Sequence, residues 1–311
     1  MIAALFALLP ALALPLDCQP GRTCWIQKYV DVDPGPGRTD YRCGPVTTDG
    51  HDGVDFRIPG LTAMMQGVPV TAVAAGTVLR IRDGVADRPV GVGGPSVATA
   101  QAAGNAVIID HGDGWESQYS HLRRGSVSVR PGDTVRAGDA IGLVGLSGET
   151  EYPHLHFALR HHGRPVDPFA GTPAPAACGT GPARPLWTGA VLAGFRYVRG
   201  QPVRFVLTTA PAQPPLIDDA PPPSRTAPLV GLAELIGPDP GQEVLLELIG
   251  PGDRLLARRT VRPDRPYLVW ATHLGLRAPA GGWPPGRYRA RLSVRAGDAI
   301  LSRMEVAALL R

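Results

Sequence analysis

The chain has 311 residues, enough for roughly two domains of ordinary size. Hydrophobic residues make up 44%, so a core can be buried, while Gly 39 and Pro 34 together approach a quarter of the chain and break it into short elements. The net charge of +4 is uneven: residues 1–178 hold 14 basic and 17 acidic side chains, and residues 179–311 hold 17 and 10. These figures exclude a collagen-like chain, a wholly disordered chain and a polytopic membrane protein. Because no arginine run alternates with aromatics, they give no nucleic-acid surface either.

Residues 1–13 form an apolar run that ends in the small-residue pattern Ala11-Leu12-Ala13 and is too short to span a bilayer. It reads as a signal peptide, although no Lys or Arg precedes it. The expectation is an exported protein, periplasmic or secreted, with no integral membrane segment. Residues 14–44 form a strap that carries Cys18, Cys24 and Cys43, and Cys178 lies far beyond. Four cysteines in an exported chain predict two disulfides. The spacing favours Cys24–Cys43 as a local loop and Cys18–Cys178 as a tie to the end of the first domain. Lys28, in the strap, is the only lysine, so any mechanism that needs one must use it.

Seven of the eight histidines fall between positions 51 and 162, which places the chemistry in a domain spanning 45–170. That segment reads as short strands separated by Gly and Pro: 68–73, 77–81, 106–110 and 140–144. His111-Gly-Asp-Gly114 is a hairpin turn between two of them. In His154-Leu-His-Phe-Ala-Leu-Arg160 a strand would turn Leu155, Phe157 and Leu159 to a core. His154 and His156 then share the opposite face, about 6–7 Å apart at the backbone. His51 and Asp55 would lie about 13 Å apart on an extended strand, too far to share a cation, and Gly50, Gly53 and Pro59 favour a loop that brings them together. Two such ligands from one loop and a histidine from a distant strand leave a fourth position open to water, as in a catalytic zinc site.

His51-x-Gly-x-Asp55, Gly67-Val-Pro-Val-x-Ala72-x3-Gly76-x-Val78, Tyr119-Ser-His121-Leu, Gly142-x2-Gly145-x-Ser147-Gly148 and Pro153-His-Leu-His-Phe157 occur in that order. Together they resemble the LytM/lysostaphin-type zinc metallopeptidases, peptidase family M23. Gly163-Arg-Pro-Val-Asp-Pro168 resembles the stretch that closes that domain. The resemblance implies a mainly β, LytM-like antiparallel catalytic domain. It also implies a Zn2+ cofactor held by His51, Asp55 and His156, with His121 and His154 as catalytic histidines near the water and the scissile carbonyl. The implied substrates are peptides of bacterial peptidoglycan. Tyr119, on the same face as His121, either lines the substrate groove or packs, and Asn105 is a second groove candidate. The alternative is an inactive LytM-like scaffold that binds cell wall or activates an amidase, against which stand the intact ligand positions.

Two departures from the family pattern stand out. Residues 83–103 interrupt the usual hairpin before Gly104-Asn105 and form either a lid over the groove or a disordered excursion. Ala158 stands where many relatives have Glu. Residues 129–142 resemble the turn-rich repeat of lipoyl and biotinyl carriers, but no acceptor lysine is there.

Residues 171–184 read as a linker. From 185 to 311, apolar runs such as 194–198, 203–207, 230–235 and 244–249 predict an immunoglobulin-like β-sandwich. The 255–261 and 286–294 runs and the turn at Ala296-Gly-Asp298 extend the pattern. No catalytic set is visible there. The excess of arginine suits a cell-wall or protein partner, or is simply spread over solvated strands.

Overall fold

The structure, a computed structural model, describes residues 11–90, 98–174, 178–179 and 184–311. Most of the expected signal peptide, residues 91–97 of the insert and half of the expected linker lie outside the described residues. Two compact units divide the chain, Met1–Arg196 and Tyr197–Arg311.

The first unit is built on one antiparallel sheet in the order β1-β2-β9-β6-β5-β4-β7. Its strands are β1 (Trp25–Lys28), β2 (Val54–Arg57), β4 (Gly76–Arg82), β5 (Asn105–Asp110), β6 (Trp115–Leu122), β7 (Thr134–Val135) and β9 (His154–His161). A two-stranded sheet of β3 (Pro69–Thr71) and β8 (Ala140–Leu143) stands apart, and β10 (Arg164–Asp167) joins β9 to β11 (Thr172–Pro173). Leu155, Phe157 and Leu159 of β9 are buried, as their alternation requires. The β5–β6 hairpin turns at Gly112 and Gly114, both at positive φ, where glycine carries no steric cost. Helix α1 (Leu61–Gln66) is a single short excursion after β2.

An aromatic cluster fixes where this unit ends. Trp187 meets Phe56, Phe157 and Phe169, and Phe195 meets Phe56, with ring centroids 5.4–5.9 Å apart. Trp187 and Phe195 flank α2 (Gly189–Gly194), so the stretch from 185 to 196, expected to open the second domain, packs on the first unit. Leu12 is also fully buried here and hydrogen-bonds Leu186 and Thr188, so the end of the expected signal peptide is built into the fold.

The disulfides are Cys18–Cys24 and Cys43–Cys178, not the pairing that spacing favoured. The cause is local: a turn at Pro20-Gly21, with Gly21 at positive φ and its N–H donating to the Cys24 carbonyl, brings Cys18 and Cys24 together. Cys43 is thereby left for the distant Cys178.

The described parts of the insert are tied down rather than free. The Asp83 carboxylate accepts from the Gly125 and Val127 N–H groups, and the Asp87 carboxylate accepts from Arg124 and Leu146. Val90 N–H donates to the Thr150 carbonyl, and Glu149 N–H donates to the Ala102 carbonyl.

The second unit has a three-stranded sheet, β12-β13-β16, and a four-stranded sheet, β15-β14-β17-β18. The first comprises β12 (Gln201–Thr208), β13 (Leu229–Ile236) and β16 (Val269–Leu276). The second comprises β14 (Gln242–Ile249), β15 (Leu255–Val261), β17 (Gly286–Ala296) and β18 (Ala299–Leu310). Phe205, Leu229 and Leu235 from one sheet share a core with Leu246, Leu248, Tyr288 and Leu292 from the other. Alternate residues of β17 (Tyr288, Ala290, Leu292, Val294) face that core, and its arginines face outward.

Asp167, at the end of β10, gives the first unit a pH-dependent stability. Its Oδ1 accepts from the Phe169 and Ala170 N–H groups, while Oδ2 is buried with no hydrogen-bond partner among the described residues. Burial pushes its pKa up to about 7, against the two N–H donors that favour the anion, and the nearby Asp40 charge adds to the rise. A folded-state value above the unfolded one means that the folded chain binds the extra proton. The stability is therefore complete below about pH 4 and is lost as pH rises through about 7. Asp167→Asn should remove that slope: the difference between wild-type and variant unfolding free energies, from urea titrations, should change by a few kcal/mol between about pH 4 and pH 8. A difference constant across that range would contradict the assignment.

Candidate metal centre

The register of β2 against β9 sets Asp55 opposite His156 and Arg57 opposite His154. β6 lies on the other side of β9, with Ser120 opposite His156. His51 precedes β2 in an irregular segment, as its separation from Asp55 required. Gly53 is what lets this segment close on β9. A Cβ there would stand 2.6 Å from the Phe157 carbonyl oxygen and 2.7 Å from the His156 ring.

Side-chain nitrogens of His51 and His156 and a carboxylate oxygen of Asp55 lie within 4.8 Å of one another. Asp55 Oδ1 is 3.0 Å from His51 Nε2, 3.0 Å from His156 Nδ1 and 3.4 Å from His154 Nε2. The far side of each imidazole is fixed. His51 Nδ1 donates to the Tyr29 carbonyl at 2.8 Å, which leaves Nε2 as the nitrogen turned to Asp55. His156 Nε2 lies 3.2 Å from Asp52 Oδ1, and Asp52 is itself held by Arg160 at 2.6 Å. A carboxylate behind a histidine that faces a cation site is the usual way of fixing tautomer and ring orientation.

His154 and His121 complete the cluster, their rings 4.7 Å apart. His154 Nδ1 donates to the Tyr152 carbonyl at 2.9 Å, and the Thr150 hydroxyl lies 3.0 Å from the same nitrogen. His121 Nδ1 donates to the Ser147 carbonyl at 2.8 Å, and its backbone is held at φ 61°, a conformation that a non-glycine residue adopts only when its surroundings enforce it. The enforcement is visible: its N–H donates to Ala103, at the end of the insert.

The electrostatics follow from one buried anion. Burial alone would raise the Asp55 pKa, but the facing His51 and His154 rings and the Lys28 ammonium outweigh it and hold the carboxyl well below the usual range. Burial also works to lower His156, but hydrogen bonds to Asp52 and Asp55 prevail and raise it to about 9. Burial, followed by the His154 and His156 charges, holds His121 well below 6.5, so it is a neutral imidazole at ordinary pH.

All five histidine and aspartate positions singled out in the sequence therefore converge. The two groove candidates do not line an open surface. Tyr119 is fully buried, its hydroxyl accepting from Val73 N–H and its ring packed against Phe157. Asn105 is likewise buried and staples the insert to the end of β6, its Nδ2 donating to the Val85 and Leu122 carbonyls. Sequence reasoning missed Asp52, Arg160, Thr150 and Tyr152. Asp52 had a signal, a carboxylate inside the His51–Asp55 motif, and so had Arg160, which alternation sets on the same face of β9 as His154 and His156; Thr150 and Tyr152 had none. His111 is remote from the cluster in the hairpin, where it bonds the Ala75 carbonyl and Ser117.

The donor set of two imidazole nitrogens and one carboxylate oxygen, drawn from a loop and a distant strand, fits zinc with a position left open. Residues 49–168 match the family model described as peptidase family M23. The DD-carboxypeptidase/endopeptidase Mpg of Neisseria meningitidis serogroup B is 36% identical over 133 residues, covering 42% of this chain and 25% of that protein. The peptidoglycan DD-endopeptidase ShyA of Vibrio cholerae is 34% identical over 117 residues, 38% of this chain and 22% of that one. The chain thus spans a quarter or less of the length of these relatives. A crystal structure of a zinc-containing peptidase from Vibrio cholerae matches with 27% identity over 47% of this chain and 39% of that one, at a TM-score of 0.30. On its sequence motifs and family match, the segment 49–168 is a domain of peptidase family M23.

Proposed function

We propose that this protein is an exported zinc metalloendopeptidase that hydrolyses peptide bonds in the stems or cross-links of bacterial peptidoglycan. The observation that carries the reading is the convergence of His51 Nε2, Asp55 Oδ1 and His156 Nδ1 beside two further imidazoles. His51, Asp55 and His156 would hold the ion. When bound there, zinc supplies Lewis acidity toward a carbonyl and lowers the pKa of water from about 15.7 toward 7. The rest of the chemistry belongs to the chain. His154 and His121 each have Nδ1 committed to a backbone carbonyl, so each offers Nε2 to the reaction. His121, kept neutral, can take a proton at Nε2, and either ring in its protonated form can hydrogen-bond an oxyanion or protonate the leaving amine.

Export is supported by the two disulfides, which persist in oxidising compartments, and by the apolar N-terminal run. No helix among the described residues is long and apolar enough to cross a membrane. In the second unit, Arg258, Arg291, Arg295 and Arg303 line a cavity of about 500 Å3 together with Glu247 and Glu305, which pair with Arg258 and Arg291, and the remaining excess of arginine favours an anionic cell-wall or protein partner.

Purified protein should bind about one zinc and release new amino groups from peptidoglycan sacculi, with mass spectrometry of the muropeptides identifying the bond. Chelation or His51→Ala should abolish the release. A zinc-loaded preparation that leaves sacculi and cross-linked muropeptides intact would instead support the scaffold reading. Asp52→Asn, which leaves every proposed ligand in place, should weaken zinc binding about 10–100-fold in chelator competition, because His156 loses the anion that orients it. Unchanged affinity would mean that Asp52 serves Arg160 alone.

A further inference from the structure

The strap, which lies outside the segment that matches the family, reaches the metal centre at two places. Tyr29 provides the carbonyl for His51 Nδ1, and Lys28 provides an ammonium. Lys28 is the last residue of β1, and its Nζ stands 3.3 Å from Asp55 Oδ2 with only 21% of the side chain exposed. The Tyr152 hydroxyl donates to the same oxygen at 3.0 Å. The two oxygens of Asp55 are thus divided. Oδ1 faces the three imidazole nitrogens, and Oδ2 is taken by two donors on the other side.

The strand geometry makes this contact specific. β1 pairs with β2 in regular register from Trp25↔Arg57 to Ile26↔Phe56, and the next pair is Lys28↔Asp55, with one extra residue between. Without that bulge Gln27 would stand opposite Asp55. With it, Gln27 is turned to the Arg57 guanidinium, which it accepts at 2.9 Å, and Lys28 takes the place beside the carboxylate. Bulges re-aim side chains in this way next to functional sites.

We propose that Lys28 is a positioning residue for the metal centre, whose ammonium, with the Tyr152 hydroxyl, occupies Oδ2 so that Asp55 offers a single oxygen to the ion. The inference rests on the reading of His51, Asp55 and His156 as ligands. A carboxylate with both oxygens free can take two coordination positions, one of which the substrate and water would need. A carboxylate whose second oxygen is held by a cation and a hydroxyl takes one. The lysine also compensates an anion that has no contact with solvent, which stops the carboxylate from turning to recruit a second donor.

The test uses the full chain with Lys28→Met, Lys28→Arg, Tyr152→Phe and the Lys28→Met/Tyr152→Phe pair. Each is loaded with Co(II), whose visible absorption falls as coordination number rises, and titrated with Zn(II) against a chelator. Lys28→Met should lower the cobalt absorption several-fold and weaken zinc binding about tenfold, as expected for a lost outer contact to a ligand. Lys28→Arg should keep the wild-type spectrum. Tyr152→Phe should move both readouts the same way by less, and the pair should move them most. Thermal melting of the metal-free proteins separates these effects from a loss of fold, and Tyr152→Phe, which removes one hydroxyl, carries the test if Lys28→Met does not fold. Wild-type spectrum and affinity in folded Lys28→Met, or tighter zinc binding, would overturn the proposal while leaving the ligand reading intact. A wild type that takes up neither metal would overturn both.

Discussion

A carboxylate buried beyond the reach of water, facing three imidazole nitrogens, is the constraint around which the first unit is arranged. An isolated anion at that depth is strongly unfavourable, so everything around Asp55 must supply positive charge, hydrogen bonds or both. The chain does so from four separate stretches: His51 from the loop, Lys28 from the strap, Tyr152 from the loop before β9, and His154 and His156 from β9 itself. The β2–β9 register makes the arrangement all or none. A slip of one residue would turn Asp55 away from the face of β9 that carries His154 and His156.

The loops at this end of the sheet are held mainly by each other. The Ser147 hydroxyl donates to the Leu122 carbonyl and accepts from Asn105 N–H, while its carbonyl takes the His121 ring proton. The insert joins the same mesh, since Asp87 accepts from Leu146 and Val90 donates to Thr150, whose hydroxyl touches His154. In its described parts the insert thus has a buttressing role for the segments that carry the two histidines. That role explains how His121 can be kept at positive φ, because the N–H and the ring are both bonded to segments that are themselves anchored.

What the sequence disclosed, and what it withheld, follows from the range of the interactions involved. Strand periodicity and glycine punctuation are local, so the runs at 77–81, 106–110, 244–249 and 255–261 appear as β4, β5, β14 and β15. The family resemblance carried by the five spaced motifs was enough to name His51, Asp55, His121, His154 and His156 as one group. Tyr119 shows the limit: alternation places it on a face but does not say whether that face is covered, and here Val73 N–H holds its hydroxyl and Phe157 packs on its ring, leaving it fully buried. β16 went unread because Trp270, Thr272 and His273 blur its alternation, and the 194–198 run ends a short helix instead of forming a strand. Disulfide pairing and the placing of Lys28 depend on a turn and a bulge whose single-residue geometry leaves no periodic trace.

His156 is set apart from the other imidazoles of the cluster by its neighbours. His156 lies between two carboxylates, Asp52 and Asp55, and holds its proton up to about pH 9, whereas His121, a ring's breadth away, stays neutral. The difference follows from an anion at each nitrogen of His156, Asp55 Oδ1 at Nδ1 and Asp52 Oδ1 at Nε2. An ion held at Nδ1 would take the place of a proton there, while the Asp52 carboxylate would keep the proton at Nε2 and with it the orientation of the ring.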